Sequence, residues 1–148
     1  MRKRYNKKAV ERLRQRIKDK DSPPPMDRTK RPMSGLEEQV AEILDTLGIE
    51  WEREVPLKFQ HQWRYFDFRL TGYNVLLEVD GAYYHDKRDK PSYVIMMAKR
   101  NDYLKNWIAK KEGYELIRIK EQQLKEEYNA VVQNISLAVG KEGEQEDE

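Results

Sequence analysis

An α/β domain with a mixed central β-sheet flanked by helices is the fold class this chain predicts. Apolar residues recur at helical spacing before residue 48, again after residue 92 and again after residue 120. Between the first two blocks lie three short segments with the pattern of strands. A fourth strand pattern follows the second block. The strand–helix–strand step from residue 75 to 119 predicts a right-handed crossover, hence one parallel pair in a mixed sheet. An extended basic N-terminal arm precedes this core.

The elements are read in chain order. "MRKRYNKKAVERLRQRIKDK" can form a short basic helix, with Val10, Leu13 and Ile17 on one face. Three readings of it stand: a nucleic-acid-contacting arm, a helix docked loosely on the body, or a membrane-surface helix, for which the apolar face is thin. "DSPPPMDRTKRPM" has three consecutive prolines and predicts a linker or an extended strap. Ser34 is a candidate N-cap, with Glu37 three residues later as in a capping box. The helix "GLEEQVAEILDTLG" sets Leu36, Val40, Ile43, Leu44 and Leu47 on one side and ends at Gly48. Glu37 lies one turn before Val40 and Ala41, near the buried face, whereas Glu38 is rotated away.

"IEWEREVPLKF" alternates as a strand. "WRYFDFRL" places Phe66, Phe68 and Leu70 on one face and Tyr65, Asp67 and Arg69 on the other. "NVLLEVD" is apolar on both faces until its acids, the pattern of a central strand covered on both sides. Gly72, Tyr73 and Asn74 supply the turn between the last two. A long helix spans roughly Tyr93 to Glu112 and is closed by Gly113. "YELIRI" is a strand, and "EQQLKEEYNAVVQNISLAV" a single final helix. His61 falls in an exposed turn.

Composition narrows the function. A chain of 148 residues suits one domain plus tails. The absence of cysteine excludes a disulfide framework and any cysteine-based zinc site. No apolar run is long enough to span a membrane, and no hydrophobic stretch follows the basic N-terminus. A cytoplasmic protein without a membrane partner is expected. Residues 1–31 hold thirteen Lys/Arg against four Asp/Glu, and the last nine residues hold one Lys against five acids. Such asymmetry suggests an arm for a polyanion and an acidic, disordered tail. The expected division is a basic arm and Pro-rich linker at 1–33, a globular domain at 34–139, and the tail at 140–148. Arg2, Lys3, Arg4, Lys7, Lys8, Arg12, Arg16, Arg28, Lys30 and Arg31 are candidate phosphate contacts, and Tyr5 a candidate for stacking on a base or sugar.

"LLEVDGAYYHD" carries the chemistry. Leu76, Leu77 and Val79 are the apolar part of a buried strand, yet Glu78 and Asp80 share one of its faces. Burying an unpaired carboxylate costs several kcal/mol, so these acids need water or a cation. Asp67 lies eleven residues before Glu78, between two apolar residues of the preceding strand. A hairpin turning near residue 73 brings the pair together, and Glu37 can reach the same sheet end. Carboxylates so placed repel unless a cation joins them or one stays protonated. Oxygen ligands, without cysteine and with only two histidines, suit Mg²⁺ or Mn²⁺ better than zinc. Each residue also has a plainer reading. Glu37 can be a cap, Asp67 can pair with Arg64 or Arg69, and Asp102 with Lys105 can be a surface pair.

Glu37, Asp67 and Glu78–Val79–Asp80, in that order, resemble the PD-(D/E)xK nuclease superfamily. The likeness is sharper to its very-short-patch-repair-like branch, which includes small phage nucleases and some homing endonucleases. The branch motif E-x-D-G-x-x-[WY]-H is matched by Glu78, Asp80, Gly81, Tyr84 and His85. Asp102, Lys105 and Asn106, then Gly113–Tyr114 and Leu116–Ile117–Arg118, match the helix and strand that follow. The resemblance covers residues 34–139 and implies a restriction-endonuclease-like core. It departs at Asp80, where the superfamily usually has lysine.

The resemblance implies a metal-dependent endonuclease acting on DNA, duplex or branched, with residues 34–139 as the nuclease domain. Asp67, Glu78 and the Val79 carbonyl would hold Mg²⁺ or Mn²⁺. Lys105 would replace the missing lysine, His85 would be base or phosphate contact, and Glu37 would position a second metal or a water. Asp80 completes the catalytic set. A homodimer fits if both strands are cut, and a phage-encoded enzyme acting in its host fits the branch. The rival readings are a catalytically weak or inactive nucleic-acid-binding module on the same fold, and a protein-interaction factor.

Overall fold

A computed structural model of the chain describes residues 6–12, 25–81 and 90–140. The expectations for Arg2, Lys3, Arg4, Tyr5, Leu13, Arg16, Ile17, Tyr84, His85 and the acidic tail lie outside the described residues. Residues 7–12 are helical. The body then runs α1 (Gly35–Thr46), β1 (Trp51–Phe59), β2 (Gln62–Leu70), β3 (Val75–Asp80), α2 (Ser92–Lys111), β4 (Glu115–Lys120), α3 (Glu121–Glu126) and α4 (Tyr128–Ala138). The strands form one mixed sheet in the order β1-β2-β3-β4. The first two pairings are antiparallel, and β3 pairs with β4 in parallel across α2.

Helix α1 starts where its cap chemistry puts it. The Glu37 N–H donates to Ser34 Oγ at 3.2 Å. The return bond of the expected box comes from the Ser34 hydroxyl, which donates to Glu37 Oε1 at 3.1 Å. Gly48 follows at φ +69°, a conformation that suits glycine and turns the chain toward β1. Val40, Ile43 and Leu44 of α1 pack with Phe68, Leu70, Val75 and Leu77 on one side of the sheet, and Val131 and Ile135 of α4 join them. On the other side Phe66 and Leu76 pack with Ile108 and Ala109 of α2. Strand β3 is thus buried on both faces, as a central strand must be.

Two expectations need correction. Phe66 and Phe68 do not share a face; they belong to different cores. Strict alternation fails where the β1–β2 pairing is interrupted between Arg53–Phe68 and Val55–Phe66, and Glu54 in that gap has φ +50°. The final helix is two helices, broken at Glu127 with φ −130° and ψ 38°. Leu124 before the break and Val131 and Ile135 after it reach the same core. No glycine or proline marks the break in the sequence.

For the Pro-rich segment, read from the sequence as a linker or an extended strap, residues 25–33 make contacts with the sheet. The Tyr65 hydroxyl donates to the Met26 carbonyl at 2.8 Å, and the Arg28 guanidinium lies 3.7 Å from the centre of the Tyr65 ring. Arg53 Nη1 donates to the Thr29 carbonyl at 3.4 Å, and Met33 packs against the core. Residues 25–33 are therefore a strap across β1 and β2. Deleting residues 1–31 should lower the melting temperature by roughly 3–6 °C more than deleting residues 1–24, for about 1 kcal/mol lost from the cation–π and hydrogen-bond contacts. Equal melting temperatures for the two truncations would show that the strap contributes nothing.

Candidate active site

The site is built where β2 and β3 stop pairing by backbone alone. Regular pairs join Phe68 to Leu77 and Arg69 to Leu76. One step further, side chains take over. The Asp67 N–H donates to Glu78 Oε1 at 3.1 Å, and the Val79 N–H donates to Asp67 Oδ2 at 2.7 Å. Each carboxylate thus satisfies a backbone donor of the other strand, which fixes both side chains on the α2 side of the sheet.

The second oxygen of Glu78 meets a cation. Lys105 Nζ, from α2, lies 2.9 Å from Glu78 Oε2, and both side chains are largely buried. This contact settles the plainer alternative for Lys105: it is not a surface partner of Asp102. Asp102 instead faces Arg118 Nη1 at 3.4 Å. Arg118 also donates from Nε and Nη2 to Asn106 Oδ1 at 3.3 and 3.2 Å, and from Nη2 to the Asp102 carbonyl at 3.2 Å. Asp80, at the position where lysine is usual, lies 3.8 Å from Arg118 Nη1. One arginine of β4 therefore grips a turn of α2 on both sides of Lys105 and faces the Asp80 carboxylate.

The second cluster is Glu37, Glu54 and Asp67, each offering one oxygen within 4.8 Å of the others. They come from α1, β1 and β2. Glu37 Oε2 is buried and accepts no hydrogen bond. An orphaned carboxylate oxygen between two further carboxylates fits a divalent cation, and the all-oxygen donor set fits a hard one. Sequence reasoning missed Glu54. Its signal was weak, because an acid in an alternating strand looks like the solvent face. Only its place in the pairing gap that also holds Asp67 singles it out. Its left-handed φ is strain of the kind that collects at functional sites. Arg118 was legible only as part of a motif.

Asp67 belongs to both clusters, and Glu78 stands outside the second one. Burial and the neighbouring Glu78 charge push the Asp67 carboxyl up to about 7, against the Val79 N–H and Lys105, which hold it down. Burial likewise raises Glu78, opposed by Lys105. Asp67, Glu78, Val79 and Asp80 line a groove of about 970 Å³ between the sheet and α2. The arm candidates distribute differently. Lys7, Lys8, Arg12, Lys30 and Arg31 are exposed, whereas Arg28 is stacked on Tyr65.

Among solved structures the chain is similar to "Homing Endonuclease I-Bth0305I Catalytic Domain", with a TM-score of 0.50 and 23% identity over 70% of this chain and 92% of that chain. The chain shares the α/β fold of that domain. No protein-family model and no curated protein matches the sequence. No helix among the described residues is long and apolar enough to cross a membrane.

The raised Asp67 carboxyl has a pH consequence. Between the ordinary carboxylate range and about pH 7, the folded protein holds a proton that the unfolded chain has released. Stability without metal therefore falls as pH rises through that window. Asp67→Asn keeps an acceptor for the Val79 N–H and removes the charge. It should melt above the wild type at pH 8, with the gap closing toward pH 5. A gap constant across pH would show that Asp67 is not the titrating group.

Proposed function

We propose that this chain is a metal-dependent DNA endonuclease of the PD-(D/E)xK type, related to the very-short-patch-repair-like branch. The observation that carries the reading is the convergence on Asp67: an acid cluster with an orphaned oxygen on one side, and a buried Glu78–Lys105 ion pair on the other. The nuclease-domain fold and the quoted motifs support it. DNA, duplex or branched, is the proposed substrate, consistent with the homing endonuclease named above.

Glu37, Glu54 and Asp67 would hold Mg²⁺ or Mn²⁺, which when bound supplies Lewis-acid polarisation of the phosphodiester. This assignment shifts the ligand set from that of the family motif, Asp67, Glu78 and Val79. Glu78 instead fixes Lys105, whose ammonium would offset charge growing on the reacting phosphate. Arg118 keeps α2 in the rotation that makes this contact and faces the charge of Asp80. His85 remains the proposed base or phosphate contact. Exposed Lys7, Lys8, Arg12, Lys30 and Arg31 would add phosphate contacts from the arm.

Supercoiled plasmid incubated with Mg²⁺, Mn²⁺ or EDTA tests the activity, with Asp67→Asn as the inactive control. Binding without cutting in either metal would turn the protein into a nucleic-acid-binding module. The ligand set has its own test. Glu37→Gln and Glu54→Gln should each abolish the rise in melting temperature produced by Mn²⁺, whereas Lys105→Met should retain it. If Glu54→Gln responds to Mn²⁺ like the wild type, the second cluster is not the metal site. In the cutting assay Lys105→Met should cost about 10²–10³ in rate, the scale of one lost electrostatic stabiliser.

A further inference from the structure

We propose that the groove between β2 and α2 takes a single unpaired DNA strand, so that the enzyme selects branched or frayed DNA over intact duplex. The inference rests on the nuclease reading above and adds to it the form of the substrate. Three features of the groove carry it. Its volume, about 970 Å³, lies at the upper end of what encloses one drug-sized ligand, which is room for a few nucleotides and not for a duplex. Away from its acids, its lining holds both cations and apolar side chains: Arg64, Lys90 and Arg100 beside Val94, Ile95 and Met97. A duplex presents phosphates and keeps its base faces stacked, so apolar groove walls would gain nothing from it. An unpaired strand offers both, phosphates to the cations and base faces to the apolar wall. Last, Asp67 and Glu78 are part of the lining, so a strand lying in the groove brings a phosphate beside these acids.

Met97 is 62% exposed, and the first half of α2 also exposes Tyr93 and Met96. An exposed apolar side chain such as Met97, lining a groove that also carries cations, is what base contact needs. Substituting Met97 therefore leaves the core intact.

Fluorescence anisotropy of the full chain in EDTA decides the matter, using one sequence as a blunt duplex, a single strand and a fork with an unpaired arm. The fork should bind at least about tenfold tighter than the duplex, the scale of one base contact. Met97→Glu and Arg100→Glu should each erase that preference and leave duplex affinity in place. Equal binding of fork and duplex, or equal losses on both in the variants, would overturn the proposal. Because binding in EDTA needs no cleavage, these outcomes are independent of the plasmid assay, where failure to cut would count against the nuclease reading alone.

Discussion

Everything in the site hangs on one exchange of hydrogen bonds. The backbone of β2 at Asp67 gives its N–H to Glu78, and the backbone of β3 at Val79 gives its N–H to Asp67. Two strands that could have continued their ladder accept side-chain carboxylates as substitutes. The exchange opens the sheet by one step and leaves two acids partly desolvated at its edge. A buried acid beside another acid is unstable as a pair of anions. The remaining architecture answers that instability with Lys105 on one oxygen and a cluster fit for a cation on the other side.

The same exchange explains which parts of the fold could be read in advance. α1, the three consecutive strands and the crossover helix follow from period and turn residues, because their cores are simple apolar faces. Asp67 and Glu78 stand out since a charged residue inside an apolar strand needs a reason. Glu54 does not stand out, because alternating polar residues in β1 look like an ordinary solvent face. Its role depends on a register that the sequence does not print. The same distortion defeats the alternation rule at Phe66 and Phe68. The Glu127 break and the strap over Tyr65 share a different cause. Both are set by distant packing, at positions whose local residues permit several conformations.

Asp80 stands where the motif this chain resembles has lysine, and the geometry brings a cation to the site by another route. A lysine would bring its charge from the strand itself. Here the charge arrives from α2 through Lys105, while Arg118 faces the acid that occupies that position. The arrangement is less local. It requires β4 to hold α2 at Asp102 and Asn106, so the electrostatics of β3 depend on a strand forty residues later in the chain.

That dependence on β4 bears on how the protein is made. Glu37, Glu54, Asp67 and Glu78 all leave the ribosome before Lys105, and Lys105 before the arginine that orients its helix. The parallel β3–β4 pair closes a long loop and forms late, since such pairing must first overcome the entropy of that closure. A nascent chain that ends between residues 105 and 118 therefore carries the acids and Lys105 without the arginine that holds α2. Until β4 emerges, Arg118 cannot hold α2 at Asp102 and Asn106, and the Glu78–Lys105 contact lacks that support.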